Sequence, residues 1–161
     1  MEEKRYAPYF PMFVNLADKK ILVIGGGTVA LRKTKTLAKF CSRINVVAPE
    51  IQTGFDALKT VCYRREFREE DLKGIDLAII ATDDAQLNAR IAGLCEERGI
   101  LKNVASDRKL CDFYFPSVIE HDGTVIGIGS SGDPAKSRAL RECLEQMMQT
   151  EKPDRGVSVS H

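Results

Sequence analysis

From Lys20 to Val104, short unbroken apolar runs alternate with segments of helical period, and that alternation predicts the architecture. Lys20 to Ile24 reads as a strand, and Thr28 to Phe40 as the helix that follows it. Ile44 to Ala48, stopped by Pro49, is a second strand, and a weak helical pattern over Gln52 to Leu58 leads to a third near Val61 to Arg64. Asp76 to Ala81 is apolar on both faces, as a central parallel strand requires. In the next helix Leu87, Ile91, Leu94, Cys95 and Arg98 trace one stripe, which Gly99 ends. Ile100 to Val104 is a fifth short strand. Strands and helices alternating at this spacing predict an α/β fold, a parallel sheet with right-handed crossovers and helices on both faces.

Beyond about residue 110 the rhythm changes. Phe113 to Pro116 and Val118 to Glu120 read as strand, and His121-Asp122-Gly123-Thr124 turns into Val125 to Ile128. Asp-Gly between two apolar runs is a strong hairpin signal. Asp133-Pro134 then opens a helix, cap followed by proline in the first turn. Its stripe is Leu140, Leu144 and Met148, flanked by Cys143 and Met147, and Arg138–Glu142 and Arg141–Glu145 are i,i+4 pairs on a solvated face. A hairpin and one helix cannot bury a core alone. The predicted division is therefore a Rossmann-like dinucleotide-binding domain over 1–111, a C-terminal hairpin-and-helix dimerisation unit over 112–149, and a disordered polar tail over 150–161.

The chemistry starts where the first strand ends. Gly25, Gly27 and Ala30 fill a G-x-G-x-x-G/A pattern between a buried strand and a helix. Gly25 permits the tight turn, Gly27 lets backbone approach a pyrophosphate, and Ala30 lets the helix pack close to the sheet. The helix N-terminus offers N–H groups and a positive dipole end to phosphate. Glu50 lies at about the right distance beyond the turn to accept from ribose hydroxyls, although the strand itself ends in Ala48-Pro49. No arginine follows the second strand closely, which disfavours a 2′-phosphate and points to NAD. Thr82 and Asp83 end the fourth strand and should line the ligand crevice, while Asp84 reads equally as a helix cap.

Composition narrows the alternatives. With 24 basic and 23 acidic residues in 161, the chain lacks the electrostatic footprint of a nucleic-acid binder. The charged start Met1 to Arg5, followed by Pro8 and Pro11, has no apolar signal core, and no stretch has the length of a membrane span; a cytoplasmic location is expected. The five cysteines are scattered without a C-x-x-C pair, and there are only two histidines, so no metal site is expected. Gly127-Ile128-Gly129-Ser130-Ser131-Gly132 is not a G-x-S-x-G elbow, which argues against a serine hydrolase.

From Phe10 to about Met148 the chain resembles the N-terminal module of siroheme synthase, the precorrin-2 dehydrogenase/sirohydrochlorin ferrochelatase family. The residues that carry the resemblance are Phe13 to Leu16, Gly25 to Lys33, Ala81 to Asp84 with Asn88, and Asn103-Val104 leading to Phe113-Tyr114-Phe115-Pro116-Ser117. Ser130-Ser131-Gly132 followed by Arg138 to Glu142 completes the series. The resemblance implies NAD-dependent oxidation of precorrin-2 to sirohydrochlorin, with iron insertion in some members, and a homodimer built through the hairpin and helix. It implies cofactor contacts at Thr28, Val29, Pro49 and Glu50, and substrate contacts at Asn103, Ser106 and Ser131. The family's catalytic aspartate follows the Asn-Val pair. In Asn103-Val104-Ala105-Ser106-Asp107 an ungapped alignment puts Ser106 on that position and Asp107 one residue later. Asp107 is the expected catalytic carboxylate, against the alternative of an exposed turn residue. The loop after Ser-Ser-Gly is shortened to Asp133-Pro134 and the small helical module that often follows is not expected, which would bear on metal insertion more than on dehydrogenation. Two further readings stand beside the enzyme: a non-catalytic NAD(H)-sensing module, and a tetrapyrrole-binding or metal-delivery protein without redox chemistry.

Overall fold

The computed structural model describes residues 10–130 and 133–150. Five parallel strands make one sheet in the order β3-β2-β1-β4-β5: β1 (Ile21–Ile24), β2 (Ile44–Ala48), β3 (Thr60–Arg64), β4 (Leu77–Ile80) and β5 (Leu101–Val104). Every residue of β1 and β4 is buried. These central strands read as continuous apolar runs because helices cover both their faces. Helix α1 (Thr28–Leu37) packs against β1 and β4 through buried Ala30, Thr34 and Leu37. Helix α2 (Ala85–Glu97) covers the other face, where Ile91, Ala92 and Cys95 join Leu22, Ile24, Ala78, Ile80 and Val104 in one cluster. Each fully buried aliphatic side chain contributes about 1.5–3 kcal/mol relative to exposure. The central pair therefore fixes where the strands' C-terminal ends lie.

Three local expectations are corrected. Gln52 to Leu58 is not helical but a series of turns around the fully buried Phe55. Gly54 at φ +110° lies outside helical backbone and packs against Leu31, which breaks the weak helical pattern. Helix α1 stops at Leu37 rather than Phe40, because the chain turns so that the Cys41 thiol can donate to the Lys19 carbonyl at 3.2 Å. Phe113 to Pro116 forms no strand. Side chains hold the start of that segment instead: the Asn103 amide donates to the Phe113 carbonyl at 2.8 Å, and the Tyr114 hydroxyl donates to the Arg108 carbonyl at 3.0 Å.

The chain separates into two compact units, Phe13–Tyr114 with the sheet, and the remainder with the hairpin and third helix. In the second unit β6 (Ser117–His121) pairs antiparallel with β7 (Thr124–Ile128). Asp122 (φ 46°) and Gly123 (φ 76°) occupy the left-handed positions of the two-residue turn, which the Asp-Gly pair tolerates. Helix α3 (Pro134–Thr150) begins with the Asp133 carboxylate accepting from the N–H groups of Ala135 and Lys136, both at 3.0 Å. Arg141 pairs with Glu145 at 2.8 Å, and Glu142 lies 3.8 Å from Arg141. Helix α3 packs on β6 and β7, with Leu144 and Met148 half-buried. Leu140 stays 46% exposed and Met147 57%. The tail beyond Thr150 and Ser131 lie outside the described residues.

Candidate cofactor and substrate site

The strand order reverses between β1 and β4, and the crevice outside their C-terminal ends is where open α/β sheets bind ligands. Each glycine of the turn after β1 is there for a different steric reason. Gly25 has φ +123°, and a Cβ on it would overlap the Ala81 carbonyl oxygen at the end of β4. A Cβ on Gly26 would overlap the Glu50 carbonyl oxygen beyond β2, a constraint the motif pattern does not show. Gly27 is exposed, and a Cβ on it would meet nothing within 4 Å. Two of the three glycines thus weld the turn to its neighbours, and the third leaves room for a ligand.

Gly27 is also the N-cap of α1, and no side chain caps that helix; its first turn holds no acidic residue. Helix α2, by contrast, is capped by Asp84, whose carboxylate accepts from the N–H groups of Gln86 (2.9 Å) and Leu87 (3.0 Å). Of the two readings of Asp84, capping is the one the structure shows. An uncapped, acid-free helix N-terminus with open space at the cap fits a pyrophosphate. Thr28 and Val29 are exposed on the first turn, and Ala30 is fully buried beneath it. The Thr28 hydroxyl accepts from the Gln52 amide at 3.3 Å, and the Gln52 N–H donates to the Gly26 carbonyl at 3.0 Å. Gln52, which the motif did not reveal, thereby ties the loop after β2 to the glycine turn.

Pro49 and Glu50 are both exposed at the start of that loop. The last ladder pair of β2 and β3 is Ala48 with Arg64, and the Arg64 guanidinium donates through Nη1 to the Ile51 carbonyl at 3.0 Å. An arginine therefore stands in space beside the loop after β2, although none follows that strand closely in the sequence. It lies thirteen residues past Ile51 in the chain and is brought there by parallel pairing, so proximity in sequence could not find it.

On the other side of the crevice, Thr82 and Ser106 are joined by Asn88, a side chain only 1% exposed. The Thr82 hydroxyl donates to Asn88 Oδ1 at 2.6 Å, while Asn88 Nδ2 donates to the Thr82 carbonyl at 3.0 Å and to Ser106 Oγ at 3.1 Å. One buried amide thus locks the ends of β4 and β5 together. Asp83 is exposed beside Thr82. Asp107, also exposed, caps a short 3₁₀ turn (Arg108–Leu110), with Oδ1 accepting from the Lys109 N–H at 2.8 Å.

The loop that bears Ser106 and Asp107 is fastened to β5 at its return. The Cys111 thiol accepts from the Val104 N–H at 3.1 Å and donates to the Val104 carbonyl at 3.2 Å. Lys102, only 5% exposed, pairs with Asp112 at 3.0 Å. Asn103 is 3% exposed, its amide on the Phe113 carbonyl, and its Oδ1 is a buried acceptor without a partner among the described residues. Its described contacts are therefore to the returning segment Cys111 to Phe113, a strap across the end of β5, while Ser106 and Asp107 are at the surface. Among the described residues no group of three or more His, Cys, Asp and Glu side chains could hold a metal ion.

Lys33, one turn further along α1, has its pKa lowered to about 8, chiefly by burial and then by Arg32, with Cys111 acting in the opposite direction. The folded value lies below the ordinary lysine value of 10.5, so protonated Lys33 costs stability below about pH 8. That cost fades as pH rises from 8 toward 10.5, where the unfolded chain still binds the proton and the folded one does not. Lys33→Met should stabilise the protein more at pH 7 than at pH 10 in urea denaturation. Equal effects at the two pH values would show that Lys33 does not titrate in that interval.

The sheet order, the glycine turn and the open N-terminus of α1 define a Rossmann-type dinucleotide-binding protein. The chain belongs to the putative NAD(P)-binding family, whose model matches residues 12–117, and its cofactor is of the NAD type. It is 39% identical over 145 residues to siroheme synthase of Photorhabdus laumondii, covering 87% of this chain and 31% of that one. Siroheme synthase of Neisseria meningitidis serogroup B is 40% identical over 145 residues, covering 87% and 30%. The chain thus spans about a third of the length of these curated relatives. The solved structure of SirC, precorrin-2 dehydrogenase, superposes with a TM-score of 0.72 at 23% identity, over 86% of this chain and 71% of that one, and shares the fold. No helix among the described residues is long and apolar enough to cross a membrane.

Proposed function

We propose that the protein oxidises precorrin-2 to sirohydrochlorin with NAD⁺, a step of siroheme biosynthesis, in the cytoplasm. The observation that carries this reading is the 145-residue kinship with siroheme synthases, which runs through the whole candidate site. Bound NAD⁺ supplies the hydride acceptor. The rest is the work of this chain's residues. The α1 N-terminus and Gly27 hold the pyrophosphate, with Gly25 and Ala30 setting the turn and the packing behind it. Thr28 and Val29 flank the pyrophosphate, and Pro49 and Glu50 meet the ribose. Thr82 and Asp83 line the middle of the crevice. Asn103, Ser106 and Ser131 serve the substrate, with Asn103 acting through the strap it anchors. Asp107 accepts the proton that leaves as the hydride departs, so the oxidation removes one hydride and one proton in all. Positioning cofactor and substrate by these residues would supply the larger share of the rate.

The decisive experiment mixes purified protein with precorrin-2 and NAD⁺. Sirohydrochlorin absorbance rising with NADH supports the reading, and NAD binding without turnover overturns it. One observation favours the second reading, a non-catalytic NAD(H)-sensing module: Asp107 is already engaged as the cap of the 3₁₀ turn.

The C-terminal unit is the proposed homodimer interface. Leu140 and Met147 on α3 are 46% and 57% exposed, a poor arrangement for an isolated small unit. Light scattering should give twice the 17.9 kDa chain mass. A clean monomer at micromolar concentration would refute it.

A further inference from the structure

We infer that Asn88 is a positioning residue for the substrate: it turns the Ser106 hydroxyl so that its hydrogen is donated to a carboxylate oxygen of the tetrapyrrole. The inference rests on the precorrin-2 reading and adds to it a buried residue and a direction for the Ser106 hydrogen bond.

Backbone groups fix the polarity of the Asn88 amide. The Thr82 N–H, which can only donate, gives to Asn88 Oδ1 at 3.3 Å, and the Thr82 carbonyl, which can only accept, receives from Nδ2 at 3.0 Å. Turning the amide over would set donor against donor and acceptor against acceptor. Nδ2 therefore gives its second hydrogen to Ser106 Oγ at 3.1 Å, and Oδ1 takes the Thr82 hydroxyl at 2.6 Å. Both hydrogens and both lone pairs of the amide are thus used, and the residue is buried, so Asn88 cannot itself meet a ligand.

A serine hydroxyl has one hydrogen to give. Because Ser106 Oγ receives from Asn88, that hydrogen points away from the amide, and among the described residues no acceptor takes it. Ser106 is exposed, so the hydrogen is open to a ligand. A plain staple between the ends of β4 and β5 has no use for it. Receiving a hydrogen bond also polarises the hydroxyl and makes it a stronger donor. Ser106 follows β5, two strands from β1 and its glycine turn, which separates it from the pyrophosphate end of a dinucleotide. A tetrapyrrole with carboxylates around its ring supplies the anionic acceptor that such a donor binds most strongly.

Absorbance titration of the full chain with sirohydrochlorin, beside calorimetry with NAD⁺, tests this. Ser106→Ala should weaken sirohydrochlorin binding about tenfold and keep NAD⁺ binding within a few-fold. Ser106→Thr keeps a hydroxyl and should retain most of the affinity. Asn88→Asp puts an acceptor where Nδ2 stood, turns the Ser106 hydrogen inward, and should weaken sirohydrochlorin as much as Ser106→Ala does. The double variant should then bind no worse than either single one, because both remove the same bond. Should Asn88→Asp fail to fold, Ser106→Ala against Ser106→Thr, both at an exposed position, decides the matter. Unchanged sirohydrochlorin affinity in Ser106→Ala overturns the inference, as do additive losses in the double variant. A loss confined to NAD⁺ overturns it too, since the acceptor then belongs to the cofactor. A wild type that binds sirohydrochlorin through Ser106 but leaves precorrin-2 unoxidised overturns the dehydrogenase reading alone. One that binds no tetrapyrrole overturns both.

Discussion

Gly27→Asp is expected to lower NAD⁺ affinity at least tenfold, roughly 1.4 kcal/mol or more, in a protein that melts like wild type. The two halves of that statement come from different observations. The space around a Cβ at Gly27 is empty, so the fold does not resist a side chain there. That same space lies at the uncapped N-terminus of α1, where a carboxylate would cap the helix and compete with a pyrophosphate for its N–H groups. Gly25→Ala and Gly26→Ala should behave in the opposite way. Each would drive a Cβ into a backbone carbonyl, of Ala81 or of Glu50, and Gly25 also sits at φ +123°. Strain of this kind costs about 1–3 kcal/mol. For a domain of this size each kcal/mol lowers Tm by roughly 2–4 °C. Calorimetric binding and thermal melting on the three variants separate the ligand-facing glycine from the structural ones. Unchanged affinity in folded Gly27→Asp would sink the pyrophosphate assignment.

The sheet was legible because its central strands are buried on both faces, so Ile21 to Ile24 and Leu77 to Ile80 show as unbroken apolar runs. The hairpin was legible because Asp122-Gly123 supplies two left-handed residues that few other pairs tolerate. What failed were segments whose conformation is imposed from elsewhere. Phe55 is fully buried, and the chain from Gln52 to Leu58 follows the burial of Phe55 rather than its own weak helical period. Phe113 carries an aromatic, strand-like signal, but its carbonyl is taken by the Asn103 amide rather than by a neighbouring strand.

The site divides along the same line. Gly25, Gly27 and Ala30 were readable because each role is local: a turn, a gap, a close packing. Gln52, Arg64 and the bridging role of Asn88 were not readable, because each acts on a group in a different loop. Gln52 closes on Gly26 and Thr28, Arg64 on Ile51, and Asn88 on Thr82 and Ser106. The strand order brings Ser106 to Asn88, Gln52 to the glycine turn and Arg64 to Ile51, and a motif records spacing along one segment.

Asp107→Asn is expected to cut sirohydrochlorin formation about a hundredfold, the low end for general acid–base catalysis, with NAD⁺ binding held within a few-fold. The structure makes this substitution clean. Asp107 Oδ1 caps the 3₁₀ turn by accepting from the Lys109 N–H at 2.8 Å, and an asparagine oxygen can accept the same bond. The loop therefore keeps its shape, and its return stays fastened by Cys111 on Val104 and by Lys102 with Asp112. What disappears is the negative charge and the capacity to take a proton. Ser106→Asp is the companion, since it puts a carboxylate where the siroheme synthase pattern has one, and an aspartate can still accept from Asn88 Nδ2 as Ser106 does at 3.1 Å. If activity survives Asp107→Asn and rises with Ser106→Asp, then Asp107 is a cap alone, and the wild-type reaction depends on positioning. If wild type and both variants bind NAD⁺ and leave precorrin-2 untouched, the cap was the whole role of Asp107, and the dinucleotide-sensing module is the better account of the chain.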